Sequence, residues 1–309
     1  MENKEYKIIF AGTSNFGIPT LEKILNEFSL VAVVTQPDKS AGRKQKLTKS
    51  AIKTWALEKN IPVWQPAKII EIKDQMKDLT PDLLIVTAYG QIIPLEILTI
   101  PKFGSINLHG SILPKYRGAT PIHTAILNGD ETTGITLLKM DEKMDHGPII
   151  TRGKINIQPN ETFLELYEKM AKQTAELVSQ TLPEFLKGNI QPSEQNHEQA
   201  SFTKMFTRDD ARIDWTNPAP VIVNQIRALN PEPGVWTTMD GKSVKILEAE
   251  VAKDDSIELP GKIFENNKKL VVKTGRNSIQ INKLQMEGKK TITGFDFLNS
   301  LKKENKLFI

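Results

Sequence analysis

The sequence predicts an α/β protein, a doubly wound and mostly parallel sheet followed by a small C-terminal β-barrel. Three observations carry this expectation. Up to residue 188, apolar runs of strand length alternate with helix-length segments across short connections, the pattern of a parallel sheet covered on both faces. From Asn189 to Phe206 the composition turns to Gln, Asn, Glu, Pro and Ser with little periodicity, which reads as a linker. Beyond it, short alternating runs are separated by turn signals, as in an all-β unit. The expected division is therefore 1–188, a linker at 189–206, and 207–309.

Taken in order, Tyr6 to Gly12 is a buried strand, and Thr13, Ser14 and Asn15 are placed to cap a helix running through Phe28. Gly12 and Gly17 lack the G-x-G-x-x-G spacing, and no acidic residue ends the second strand, Leu30 to Thr35. The sheet is thus Rossmann-like without the features that hold a dinucleotide. Gln36 to Ser50 is polar and carries Lys39, Arg43, Lys44, Lys46 and Lys49 against Asp38, and reads as a mobile basic loop. Helices are expected at Ser50–Lys59, Ile69–Lys77, Ala119–Leu127 and Glu161–Leu186, and strands at Asp82–Thr87, Gly134–Met140 and Pro148–Ile155. In the last part, Ile213 to Asn230 holds one helix, and about five strands follow, two of them joined by Asp240-Gly241, a hairpin signal. An OB-type barrel is the natural candidate for so many short strands.

The chain of 309 residues contains no cysteine, so disulfides, thiolate nucleophiles and Cys-ligated zinc are excluded together. The polar start MENKEYK is no signal peptide and no apolar run reaches membrane-spanning length; a cytoplasmic, monomeric protein is expected. The net charge of +4 is uneven: basic and acidic residues balance at 23 each through Ala200, and 18 against 14 follow. Between Lys262 and Lys290, eight basic residues face only Glu265 and Glu287. Such a face suits a phosphate backbone; lysines guarding a sheet edge give the same pattern.

The chemistry concentrates in Gly104–His123, GSINLHGSILPKYRGATPIH. Asn107 and His109, at i and i+2 of a strand, share a face just before a loop rich in Gly and Pro, where α/β proteins bind ligands. Of the other histidines, His123 falls on the following helix and His197 in the linker. Asp145, in the turn Met144-Asp145-His146-Gly147, is the better partner for His109, with Asp141 as competitor. Zinc held by His109, Asp145 and His146 matches no familiar ligand spacing, so no metal is expected. An Asn, a His and an Asp without a Ser or Cys nucleophile fit acyl or formyl transfer to an amine that the substrate brings. Asn107 would donate to the developing oxyanion, and His109 would handle the amine's proton or act as imidazolium, with Asp145 fixing its tautomer.

The stretch SINLHGSILPKYRGATPI resembles the 10-formyltetrahydrofolate-dependent formyltransferases. The resemblance places Asn107, His109 and Asp145 on that family's catalytic residues, and Ser111, Ile112, Leu113 and Pro114 on its folate-binding loop, with Ile112 replacing the usual Leu. It implies 10-formyltetrahydrofolate as co-substrate. FAGTSNFG, VTQPDKSAGR, VTAYGQIIP, GDETTGITLLKMDEKMDHGPI, IDWTNPA, IRALNPEPGVWT and GKKTITGFDFLNS look like segments, in order, of the branch that formylates methionyl-tRNA. That branch has an OB-type domain that binds initiator tRNA, and a basic loop at the tRNA end on which Arg43, Lys44 and Lys46 fall. Two alternatives stay open: formylation of a small amine such as a nucleotide sugar, and an RNA-binding module without activity.

Overall fold

The computed structural model describes residues 3–41, 46–253, 257–301 and 306–309. Its strands are β1 (Lys7–Gly12), β2 (Ser29–Val34), β3 (Lys39–Ala41), β4 (Lys46–Thr48), β5 (Val63–Trp64), β6 (Leu83–Thr87), β7 (Ser105–His109), β8 (Arg117–Gly118), β9 (Thr132–Lys139), β10 (Ile149–Asn156), β11 (Phe202–Thr203), β12 (Trp236–Met239), β13 (Lys242–Ala252), β14 (Ile263–Asn266), β15 (Lys269–Lys273), β16 (Ser278–Met286) and β17 (Thr291–Thr293).

The chain folds as two compact units that interleave along the sequence. One comprises Met1–Pro121, Thr132–Asn156 and Tyr167–Thr203; the other comprises Ile122–Glu131, Ile157–Leu166 and Lys204–Ile309. In the first unit a seven-stranded sheet runs in the order β10-β9-β7-β6-β1-β2-β5. Strands β1, β2, β5, β6 and β7 are mutually parallel, while β9 and β10 form an antiparallel edge. Consecutive residues of β1, Ile8 through Ala11, are all fully buried. Alternate side chains leave opposite faces, so both faces of the sheet must be covered, as a doubly wound arrangement requires. One face is packed by a cluster that includes Ile9, Ala11, Leu84, Val86, Met76 and Ile97.

Local chemistry explains most element ends. Ser50 caps the helix Ala51–Glu58, its hydroxyl accepting from Lys53 N. The start of Ile18–Glu27 corrects the sequence reading: a short 3₁₀ turn, Asn15–Gly17, precedes it, and neither Ser14 nor Gly17 caps with a side chain. Thr13 instead donates to Tyr89 O and Asn15 accepts from the Tyr167 hydroxyl. A proline in the first turn starts the helix without a polar cap. In the basic stretch after β2, expected as a mobile loop, β3 and β4 pair antiparallel, and residues 42–45 lie outside the described residues. In the helix Phe163–Leu186, the buried residues Leu166, Met170, Thr174, Val178 and Leu182 recur every fourth position, one face of an α-helix.

The second unit contains the helix Ala219–Leu229 and a six-stranded antiparallel sheet, β12-β13-β16-β15-β14 with β17 on β16. Asp240 and Gly241, both at positive φ (51° and 73°), join β12 to β13. Two left-handed residues in a two-residue loop are the primed turn whose twist suits a hairpin. This antiparallel unit is the small barrel-type domain expected from the sequence. No described helix is long and apolar enough to cross a membrane.

Candidate active site

Asn107 and His109 stand on β7, and the turn 140–148 between β9 and β10 supplies the third residue. Because β9 runs antiparallel to β7, this turn begins beside Ser105, whose carbonyl accepts from Met140 N at 2.8 Å. Asp145 lies back along β7. Its Oδ1 accepts from Asn107 Nδ2 at 2.9 Å, and its Oδ2 accepts from Gly118 N at 2.8 Å. The same Oδ2 is 3.4 Å from His109 Nδ1, and the two side chains are 9% and 5% exposed. Two donors and a nearly buried setting fix the carboxylate in place, and charge-assisted bonds of this kind are the stronger ones.

The far nitrogen of His109 has its own partner. Nε2 lies 2.9 Å from the Tyr116 carbonyl oxygen. A carbonyl only accepts, so Nε2 carries the proton and Nδ1 is the nitrogen that gains or loses one beside Asp145. The tautomer is thus set by Tyr116, not by the carboxylate as the sequence suggests. Tyr116 and Asp145 both have left-handed backbones (φ 63° and 50°), and such conformations collect at functional sites. Gly118 is required where it stands: its φ is 112°, and a Cβ there would lie 2.8 Å from Thr203 O.

A cavity of about 370 Å³ adjoins these residues. Gln91 to Ile93, Asn107, Leu138, Met140 and the turn 141–147 line it, so apolar side chains such as Ile93, Leu138 and Met140 share its wall with polar and charged ones. Ile92 (89% exposed) and Met144 (64%) stand at the surface. The sequence singles out Ala88–Pro94 only as part of the family-like segment VTAYGQIIP; the physical signal for it is its position directly after the parallel strand β6.

The loop 111–114, expected to bind folate, adjoins this cavity without lining it, Leu113 packing with the lining residue Leu138. Ser111 and Leu113 are each 1% exposed and are not part of the cavity lining. Thr136 Oγ1 accepts from Leu113 N (3.1 Å) and donates to Ser111 O (2.7 Å), and the Leu113-Pro114 peptide is cis. These residues shape the strand end that carries His109. Asp141, the competitor of Asp145, pairs with His146 Nδ1 at 2.6 Å. His123 stacks on Phe163 (centroids 3.8 Å apart, 20°), and burial depresses its basicity to a pKa of about 4; it takes no part in the Asp145 cluster. Among the described residues there is no group of His, Asp and Glu that could hold a metal ion.

Of the sequence-expected RNA contacts, Arg43, Lys44 and the side chain of Lys46 lie outside the described residues. In the stretch 262–290, Lys273 is buried and Lys283 pairs with Glu248 at 2.6 Å. Lys268, Lys269, Arg276, Lys289 and Lys290 are exposed.

Comparison with known proteins agrees with this architecture. The "Formyl transferase" family model matches residues 6–182, and its C-terminal domain model matches residues 205–302. A methionyl-tRNA formyltransferase of Caldanaerobacter subterraneus subsp. tengcongensis is 41% identical over 286 residues, covering 91% of this chain and 93% of that protein. One from Staphylococcus aureus strain MW2 is 40% identical over 297 residues, 95% of this chain and 96% of that one. Among solved structures, an N-formyltransferase from Helicobacter canadensis, in complex with folinic acid and dTDP-3-aminofucose, superimposes with a TM-score of 0.67 at 22% identity, covering 91% and 99% of the two chains. That last likeness extends to the fold. Sequence identity at this level, sustained along nearly the whole chain, means that it belongs to the methionyl-tRNA formyltransferase family.

Proposed function

We infer that the protein transfers the formyl group of 10-formyltetrahydrofolate to the α-amine of methionyl-tRNA, the initiator form, giving N-formylmethionyl-tRNA. The observation that carries this reading is the convergence of Asn107, His109 and Gly118 on the carboxylate of Asp145 beside the cavity, in a chain 41% identical to a methionyl-tRNA formyltransferase. The cavity suits a flat heteroaromatic ring, with Ile93, Leu138 and Met140 as apolar walls and Gln91 as a polar group. The co-substrate supplies an activated formyl carbonyl.

The side chains then have separable tasks. Asn107 has two amide hydrogens; Asp145 takes one and the other is available for the oxygen that gains charge as the amine adds. Asp145, held from two sides, orients that amide. His109 takes up and returns a proton at Nδ1, which lies 3.4 Å from the Asp145 carboxylate. No covalent acyl-enzyme is needed because the acceptor brings its own nucleophile. The first unit (the catalytic region expected at 1–188) carries this chemistry in our reading. The second, expected at 207–309, binds the RNA through its exposed basic residues, and Arg43, Lys44 and Lys46 contact the acceptor end.

The test is transfer of labelled formyl to charged initiator tRNA, with charged elongator tRNA, free methionine and an amino-sugar nucleotide as other acceptors. Label on the initiator alone supports the reading. Label on the sugar nucleotide, or none on any acceptor, defeats it.

A further inference from the structure

Asp145 needs support from outside its own turn, because a non-glycine residue at φ 50° is held against its backbone preference. One side chain provides it. Gln195 Nε2 donates to Asp145 O at 2.9 Å and to Gly147 O at 2.8 Å. Its Oε1 accepts from Arg117 Nη2 at 2.7 Å, and the residue is 5% exposed. Every end of this amide is used, and turning it over would set an oxygen against two carbonyls and an NH₂ against a guanidinium. Arg117 directly precedes Gly118, whose N–H holds the Asp145 carboxylate. Main chain and side chain of Asp145 are therefore held through one connected set of bonds.

The surroundings of Arg117 show what the glutamine is for. Arg117 is 4% exposed, and among the described residues its guanidinium donates to an amide oxygen and an imidazole nitrogen, Gln195 Oε1 and His197 Nδ1 (2.9 Å). Its Nε has none among the described residues. A carboxylate at position 195 would meet this buried cation better than an amide does. A carboxylate cannot, however, donate to the oxygens of Asp145 and Gly147. The residue present gives up the ion pair and keeps the two bonds to the turn.

We propose that Gln195 is a positioning residue for formyl transfer, clamping the 145–147 turn so that the Asp145 carboxylate stays on Asn107 and His109. The inference rests on the role given above to Asp145. It also gives the segment 189–203 a task beyond linking two regions.

Gln195→Glu separates positioning from mere satisfaction of Arg117, since it retains an acceptor for the guanidinium and removes both donors to the turn. The full chain is assayed for kcat and KM of formyl transfer, for its urea midpoint, and by NMR for the Asn107 side-chain amide that Asp145 holds. The expected result is a loss in kcat on the order of 10²-fold, as for a misplaced catalytic group, a displaced Asn107 amide resonance, and a midpoint at or above that of the wild type. Wild-type kcat with an unmoved resonance overturns the proposal. If Q195E does not fold, Gln195→Met replaces it, with the same kcat loss and resonance change expected and the same contrary result. A wild-type chain that formylates nothing would remove the functional reading, yet the Asn107 resonance would still decide whether Gln195 holds the turn.

Discussion

His109 donates from Nε2 to the main-chain oxygen of Tyr116, 2.9 Å away. The acceptor is seven residues further along the chain, in a left-handed position (φ 63°). The loop that leaves β7 thus returns to grip the ring that β7 presents. This leaves Nδ1 as the exchangeable nitrogen and makes the loop's shape part of the site. His109→Gln retains a polar group but neither the proton exchange nor the ring, and formyl transfer should fall by roughly 10²–10⁴-fold. Steady-state kinetics check this, with the urea midpoint as a control for folding.

Thr136 is the pin of that loop, fully buried and bonded to both Leu113 N and Ser111 O. Thr136→Val keeps the volume and strands two buried backbone groups. The expected loss is about 2–4 kcal/mol of stability, read from the urea midpoint, with a smaller fall in activity as the strand end loosens. An unchanged midpoint would mean that water replaces the hydroxyl.

Gly118 has a distinct vulnerability. A Cβ at φ 112° would press on Thr203 O at 2.8 Å, while the N–H must still reach Asp145. Gly118→Ala should cost about 1–3 kcal/mol in backbone strain and reduce turnover more than Thr136→Val does, because it displaces a donor to Asp145 itself. Denaturation and kcat measured on the two variants side by side make the comparison.

The fold was largely legible because its signals are strong ones: unbroken apolar strands, a helix with every fourth residue buried, and an Asp-Gly turn. Asn107, His109 and Asp145 were legible for a different reason, since two share a strand face by simple alternation and the third sits in a polar turn. Gln195 and Tyr116 were not. One lies in a stretch whose composition says only that it cannot form a core, and the other acts through a backbone carbonyl that any residue possesses. The helix start at Ile18 was misread because Thr13 and Asn15 found longer-range partners, Tyr89 and Tyr167, which outweigh a local cap.

His123 makes the stability of the protein depend on pH. Stacked on Phe163 and partly buried, it has a folded-state pKa of about 4, against about 6.5 when unfolded. Between these values the unfolded chain takes up a proton that the folded chain refuses. This stabilising contribution is therefore complete above about pH 6.5 and is lost progressively as pH falls towards 4. It amounts to at most about 3 kcal/mol. Thermal unfolding from pH 7 to 4 should show the decline, and His123→Phe should remove this component of it.

In the proposed mechanism the charge and placement of Asp145 drive transfer. Rapid-quench single-turnover transfer from 10-formyltetrahydrofolate to charged initiator tRNA, with wild type and Asp145→Asn, isolates that step. Asn fills the same space but carries no charge and offers one acceptor where Asp145 uses two. We expect the single-turnover rate to fall by roughly 10²–10⁴-fold with the affinity for the tRNA unchanged. A variant that transfers at the wild-type rate would contradict the account.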